Sequence, residues 1–223
     1  MLFRVIKGSI SGSALLVVAH MIAVSSASAQ DPATVGQFSS VMTWPRVAVH
    51  AHLLPTGKVL YWAAYGAGPY PQLWNPSTNT NTGATQPEAN PFCSGNAFLP
   101  NGQLLIAGGH LDTWVGLRTA YTYNPLNDTW TRLPDMNNGR WYPTSTTLPN
   151  GDVLVISGWT DTTVGVNVEP QIWQSATASW RYLTTAHLAL PFYPYMFVAP
   201  NGNVFCAGPS QTTRYLNSSG TGN

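Results

Sequence analysis

A Pro-x-Gly turn recurs through this chain at near-constant spacing, and no other feature restricts the fold as much. Pro55-Thr56-Gly57 is followed by Pro-Asn-Gly at Pro100–Gly102, Pro149–Gly151 and Pro200–Gly202, at intervals of 45, 49 and 51 residues. Proline presets φ at one corner of such a turn and glycine takes a positive φ at another, so each marks a tight reversal. Short apolar or alternating runs flank every reversal. Around the first, Val47–Leu53 alternates about His50 and His52, and Val59–Trp62 is a compact apolar run. Each unit therefore reads as strand, turn, strand.

A period near ~50 residues with a di-glycine and downstream aromatics is the pattern of kelch-type propeller blades. Gly108-Gly109, Tyr121 and Trp130 supply it in the second unit, and Ser157-Gly158, Trp173 and Trp180 in the third. Further strands are expected over Tyr70–Pro76, Thr119–Pro125, Thr129–Leu133, Glu169–Gln174 and Ser179–Leu183, with Asn79–Asn90 as a polar loop. No helical stretch of useful length is evident, and 20 glycines and 18 prolines punctuate short strands. The expectation is an all-β, kelch-type β-propeller with about four blades over residues 30–223, part of a seven-bladed whole, its fourth blade unfinished. Residues 30–44 read as an arm or a closing strand.

The repeat also sets a register. Seven residues before each turn proline stand Ala48, Cys93, Tyr142 and Tyr193. Blades are related by rotation about a common axis, so equivalent positions near that axis approach one another. A thiol at Cys93 and a phenol at Tyr142 are thereby expected to meet at the hub. His50 and His52, two apart, share one strand face. They read either as a metal-binding pair or as polar groups facing a solvated channel or a neighbouring blade.

Residues 1–29 read as an export signal: Arg4 and Lys7, an apolar core over Ala14–Val24, and Ala27-Ser28-Ala29 before Gln30. The product is expected to be secreted or periplasmic, without a membrane span. Cleavage leaves seven basic against eight acidic residues. That near-neutral balance argues against nucleic acid or an anionic membrane as partner. Charged residues are 8% of the chain, and nine tryptophans and ten tyrosines are many for its length; such surfaces suit sugars. Asn127-Asp128-Thr129 and Asn217-Ser218-Ser219 match the glycosylation acceptor pattern.

Two cysteines in an exported chain ordinarily suggest a disulfide. Here Cys206 lies six residues after its turn proline, where other units carry Tyr61, Ile106 and Val155. That is an interior strand position suited to a small buried hydrophobe. Cys93 lies two units away on a different strand, beyond disulfide reach. Cys93 is expected to be an unpaired thiol.

Phe92-Cys93-Ser94-Gly95 and Gly139-Arg140-Trp141-Tyr142-Pro143-Thr144 resemble segments of the copper radical oxidases, the galactose oxidase and glyoxal oxidase family, in its N-terminal propeller part. Arg-Trp-Tyr-Pro is nearer the glyoxal oxidase branch. The resemblance runs from about Val41 to the end of the chain. It implies a thioether between Cys93 and Tyr142, with Tyr142 also a copper ligand, and oxidation of primary alcohols or aldehydes by dioxygen to give hydrogen peroxide. Copper(II) accepts one electron and a tyrosyl radical the second; sulfur on the phenol ring eases radical formation, while the protein positions and tunes this built-in cofactor. By the same resemblance Trp159 is the indole stacked over the thioether; otherwise it is a blade-packing tryptophan. The family's further ligands, a Tyr-His pair and another histidine, come from later in its chain, and no Tyr-His dipeptide occurs here. Half a site is expected, with poor copper binding and no turnover by this chain alone.

A non-catalytic kelch propeller binding carbohydrate or protein is the competing reading, since fold alone does not decide function. A hydrolase has little support: Asp112, Asp128, Asp135, Asp152, Asp161 and Glu169 form no recognisable acid/base pair in sequence.

Overall fold

The computed structural model describes residues 31–223 other than Tyr65, Ala67 and Pro69. The expected export signal, residues 1–29, lies outside the described residues. Two compact units are distinguished, Met1–Thr43 and Trp44–Asn223. In the described part of the first, α1 (Pro32–Val35) is a single turn opened by Asp31, whose carboxylate accepts from the Ala33 N–H at 3.0 Å. The remainder up to Thr43 is irregular, so no strand forms there.

The second unit is all β. Sheet 1 runs β1 (His50–Leu53), β2 (Val59–Trp62), β3 (Gln72–Asn75) and β4 (Thr80–Gly83), each antiparallel to the last. Sheet 2 is built from β5 (Gly95–Phe98), β6 (Leu104–Ala107), β9 (Ala120–Asn124) and β10 (Thr129–Leu133). A small hairpin, β7 (His110–Asp112) with β8 (Val115–Gly116), is inserted between its second and third strands. Sheet 3 is β11 (Thr144–Thr147), β12 (Val153–Ile156), β13 (Gln171–Gln174) and β14 (Ser179–Tyr182). Sheet 4 has three strands, β15 (Met196–Val198), β16 (Val204–Cys206) and β17 (Arg214–Leu216).

The four Pro-x-Gly turns are the same structure. Leu54, Leu99, Leu148 and Ala199 each accept from the turn glycine's N–H at 2.9 Å and donate to the carbonyl of the residue after that glycine at 2.8 Å. Gly57, Gly102, Gly151 and Gly202 have φ between 78° and 85°. The turns also nest. A Cβ on Gly102 would lie 3.0 Å from the Pro55 ring, and one on Gly151 only 2.4 Å from the Pro100 ring. The periodic Pro and Gly thus form the hairpins and pack one hairpin on the next.

Second strands are the apolar runs of the sequence, and they are buried on both faces: Leu104–Ala107 and Val153–Ile156 throughout. One face of each packs on the preceding sheet and the other on the following one, leaving three cores in the gaps between sheets. Leu60, Trp62, Leu104, Ile106 and Tyr123 fill the first gap. Leu105, Ala107, Val153, Val155 and Trp173 fill the second, and Leu154, Ile156, Ile172, Val204 and Cys206 the third. Trp130 and Trp180, second residues of β10 and β14, close the outer ends of two gaps. Their indole N–H groups donate to Thr85 C=O (2.9 Å) and Pro134 C=O (2.7 Å) of the segment leaving the previous sheet. First strands lie at the other end of each sheet, β5 beside β11 and β11 beside β15.

Three elements depart from the sequence expectation. Asn79–Asn90 contains a strand, β4, rather than only a loop. Thr80–Gly83 is polar and largely exposed, and backbone pairing to β3 holds it, so no apolar alternation betrays it. The hairpin β7–β8 and strand β17 are likewise short edge elements. Cys93 and Cys206 are both free and buried, Cys206 within the third core, as the register requires.

Substituting Gly151→Ala should cost about 2–3 kcal/mol, combining positive-φ strain with the Pro100 clash. Gly202→Ala, at a similar φ but with nothing within 4 Å, should cost about 1 kcal/mol. Urea unfolding of the two variants compares them; equal losses would refute the nesting account.

Candidate active site

Cys93, Tyr142 and Tyr193, picked out by their common offset from the turns, share an unusual backbone. Their φ values are 62°, 62° and 45°, the left-handed region in which a side-chain-bearing residue costs about 1 kcal/mol. Each stands just before the first strand of its sheet. The Tyr142 N–H donates to Cys93 C=O at 2.9 Å, and the Tyr193 N–H donates to Tyr142 C=O at 2.9 Å. Equivalent residues of sheets 2, 3 and 4 are thus linked head to tail across the hub. The chain of bonds begins at His50, whose Nε2 accepts the Cys93 N–H at 3.1 Å. Because Nε2 accepts, a neutral His50 carries its proton on Nδ1, beside the Asn96 side-chain amide at 3.3 Å.

The side chains follow the backbone. The Cys93 thiol and the Tyr142 phenol are close enough for each to influence the other's ionisation. Cys93 is fully buried. Burial pushes its thiol up to about 11, partly opposed by its polar neighbours Tyr142 and Trp141. Burial, then the neighbouring Cys93, pushes the Tyr142 phenol up to about 12. Both are protonated at neutral pH, so the pair is an uncharged thiol beside an uncharged phenol. Tyr193 is driven higher still, by burial and by its two neighbours, and its hydroxyl donates to Ser94 C=O at 3.2 Å.

Three neighbours set the orientation of Tyr142. The Trp141 ring lies against it, centroids 4.2 Å apart and planes 32° apart, and the Trp141 indole N–H donates to His110 Nδ1 at 3.0 Å. Phe192 and Tyr193 close other sides, at 5.4 and 5.0 Å. Beneath, the wholly buried Arg140 spans the third sheet. Its guanidinium donates to Ser157 C=O (2.8 Å), Glu169 C=O (2.5 Å) and Gln171 Oε1 (3.2 Å). Burial lowers its pKa, and the Glu169 charge opposes this. Its backbone is admitted by the di-glycine, since a Cβ on Gly108 would sit 2.3 Å from Arg140 C=O, while the Gly109 N–H donates to that same carbonyl.

Trp159 is brought near but not onto the pair. It bridges Trp141 through backbone bonds, and its ring contacts Trp114 (5.3 Å) and Phe192 (6.2 Å). The ring lying on Tyr142 is that of Trp141. That role, like those of Arg140 and His50, was not apparent from the sequence. For the first two the signal was present, in the Gly139–Thr144 segment itself. His50 could be placed on the right face but not on the Cys93 amide.

A cavity of about 600 Å³ opens on the hub, lined by His50, His52, Asn96, Tyr142, Ser145 and Tyr193. Burial holds both histidines near 4, and for His52 the neighbouring His50 adds to this. They are neutral groups facing the channel. Among the described residues no three His, Cys, Asp or Glu side chains converge as a metal site. What the cavity offers a metal is the Tyr142 phenol, with the Tyr193 hydroxyl and the His50 and His52 imidazoles in the same lining.

Successive antiparallel sheets of three or four strands around a hub that sets a buried thiol beside a phenol define the class. The family model described as the glyoxal oxidase N-terminus matches residues 72–215, and the chain belongs to that family, the N-terminal portion of copper radical oxidases. Two galactose oxidase sequences of Gibberella zeae, one from strain PH-1, are each 27% identical over 211 residues, covering 84% of this chain. The chain spans 30% of their length. Among solved structures, a fungal alcohol oxidase of the AA5 family in complex with copper superposes with a TM-score of 0.68 at 23% identity. That likeness covers 82% of this chain and 41% of the other, and shows the shared all-β fold.

The histidine pair makes stability depend on pH. Their folded pKa values lie near 4, below the ordinary 6.5, so the unfolded chain takes up these protons first. Stability should be full above about pH 6.5, fall by up to about 3 kcal/mol for each histidine as pH drops to about 4, and then level. Thermal unfolding against pH checks this, and a His50→Gln/His52→Gln variant should lose the slope in that window.

Proposed function

We propose that this chain supplies the cysteine–tyrosine half of a secreted copper radical oxidase acting on primary alcohols or aldehydes. The observation that carries the reading is the buried Cys93 thiol set beside the Tyr142 phenol by the backbone bond from Tyr142 N–H to Cys93 C=O, in a family whose relatives are oxidases. Copper, when bound, would supply a one-electron acceptor and, through its charge, favour loss of the Tyr142 proton. Tyr142 would be the ligand from this chain and Cys93 the sulfur joined to its ring. Closing that thioether removes one hydrogen from the thiol and one from the ring, both electrons passing to dioxygen as hydrogen peroxide is formed. Trp141 and Phe192 pack against the phenol, and the left-handed backbones at Cys93 and Tyr142 turn the two residues toward one another.

The substrate is a small alcohol, aldehyde or carbohydrate. Arg4, Lys7 and the Ala27–Ala29 triplet support export, and no helix among the described residues is long and apolar enough to cross a membrane. Among the described residues no three His, Cys, Asp or Glu side chains gather as a metal site; on this reading further ligands come from outside them, and this chain alone turns over no substrate.

With excess copper and dioxygen, the tryptic peptides holding Cys93 and Tyr142 should run as one species lighter by two hydrogens. The same treatment of Tyr142→Phe should leave Cys93 open to alkylation. Peroxidase-coupled assays on the purified chain should detect no peroxide from primary alcohols or aldehydes. Full alkylation of Cys93 in the copper-treated native chain would remove the oxidase reading and favour a binding propeller.

A further inference from the structure

Among the described residues only sheet 2 carries a hairpin between its second and third strands. β7 and β8 are therefore an addition to the repeat, and they pack on the segment that carries Tyr142. Leu117, just past β8, accepts the Arg140 N–H at 2.9 Å, and the Gly116 N–H donates to Thr160 C=O at 2.8 Å. Between those bonds the fit is close. A Cβ on Gly116 would lie 2.5 Å from the Trp141 nitrogen and closer still to Trp159 C=O. The hairpin is thereby seated on Trp141.

Side chains of the hairpin hold the Trp141 ring. His110, buried at the start of β7, accepts the indole N–H at Nδ1, 3.0 Å away. Because Nδ1 accepts, the neutral imidazole carries its proton on Nε2, and burial favours that neutral form. At the hairpin tip, Trp114 meets the Trp141 ring edge to face, centroids 5.1 Å apart and planes 64° apart. The Trp114 indole also touches Trp159 (5.3 Å) and Phe192 (5.9 Å). Trp141 in turn lies on Tyr142 at 4.2 Å, and Phe192 borders the same phenol.

Trp114 is strained where it stands. Asp112 pairs with Val115, so Thr113 and Trp114 form a two-residue turn. Trp114 has φ 63°, a conformation for which a turn ordinarily uses Gly or Asn. The residue is also 44% exposed, so burial rewards it less than a core indole. Neither the turn nor a core calls for an indole here, whereas the Trp141 ring does. Residues held against their backbone preference gather where the placement of a group matters.

We propose that the β7–β8 hairpin is a clamp for Trp141, and that His110 and Trp114 are positioning residues for Tyr142, acting through that indole. The clamp itself is read without copper; only its effect on cross-linking rests on the oxidase reading.

Labelling the tryptophans of the full chain with nitrogen-15 gives a Trp141 indole N–H signal, assigned by its loss in Trp141→Phe. His110→Leu should speed exchange of that proton by about tenfold, the effect of losing one buried hydrogen bond. His110→Gln, whose amide oxygen accepts, should restore the protection. Trp114→Gly and Trp114→Asn remove the ring while suiting the turn. In both, alkylation of Cys93, a neighbour of Trp141, should quicken by about tenfold. Cys206, buried in the third core, is the internal control and should react at its native rate. Unchanged exchange in His110→Leu, no restoration by His110→Gln, or unchanged Cys93 alkylation in both Trp114 variants overturns the clamp. So does equal quickening at Cys93 and Cys206, since the ring would then serve only the fold. With copper and dioxygen, His110→Leu and Trp114→Gly should join Cys93 to Tyr142 about tenfold more slowly than the native chain, and equal rates overturn the positioning role. A native chain that never joins them removes the oxidase reading, and the exchange and alkylation results then judge the clamp alone.

Discussion

The hub is held by a relay of hydrogen bonds that starts at the His50 imidazole and runs through the backbones of Cys93 and Tyr142 to Tyr193. Each link needs an N–H and a C=O on the same residue to point toward neighbouring sheets. An ordinary strand backbone directs both along its own ladder, whereas a left-handed residue turns them outward. That is why Cys93, Tyr142 and Tyr193 accept positive φ despite carrying side chains. The strain of about 1 kcal/mol at each is offset by bonds that would otherwise leave buried amides unpaired. Site chemistry is a by-product of this relay. Residues obliged to turn toward one another at the hub bring a thiol and a phenol into contact.

The relay also explains the supporting cast. Sheet 1 has Ala48 at the equivalent position, which is not left-handed, so an imidazole nitrogen replaces the missing carbonyl. That nitrogen must stay unprotonated to accept, and burial of His50 keeps it so. Arg140, just before the Trp141-Tyr142 pair, is fixed by four acceptors, Ser157 C=O, Glu169 C=O, Gln171 Oε1 and Asn137 Oδ1. A guanidinium suits this because its donors diverge in a plane and cannot be silenced by deprotonation at ordinary pH. Gly108 and Gly109 leave the room that such a close approach needs. The di-glycine therefore serves the site as well as the strand.

Much of this was legible before any coordinates. The turn period, the all-β class, the alignment of Cys93 with Tyr142, and the unpaired state of both cysteines follow from counting residues between prolines. Polar edge strands such as Thr80–Gly83 were not legible, because pairing rather than side-chain burial holds them. The ring resting on Tyr142 was not legible either. Trp141 and Trp159 sit on facing segments joined by a backbone bridge, and spacing alone does not say which indole leans inward.

Periodicity along the chain decided which residues are equivalent, since like turns at intervals of 45, 49 and 51 residues place corresponding strands in successive sheets. Contact across sheets was decided only in three dimensions. Whether equivalent residues touch depends on backbone angles at Cys93, Tyr142 and Tyr193, on how deeply Arg140 enters between glycines, and on which donor meets each orphan amide. Those are packing outcomes among segments about fifty residues apart, and no local pattern encodes them.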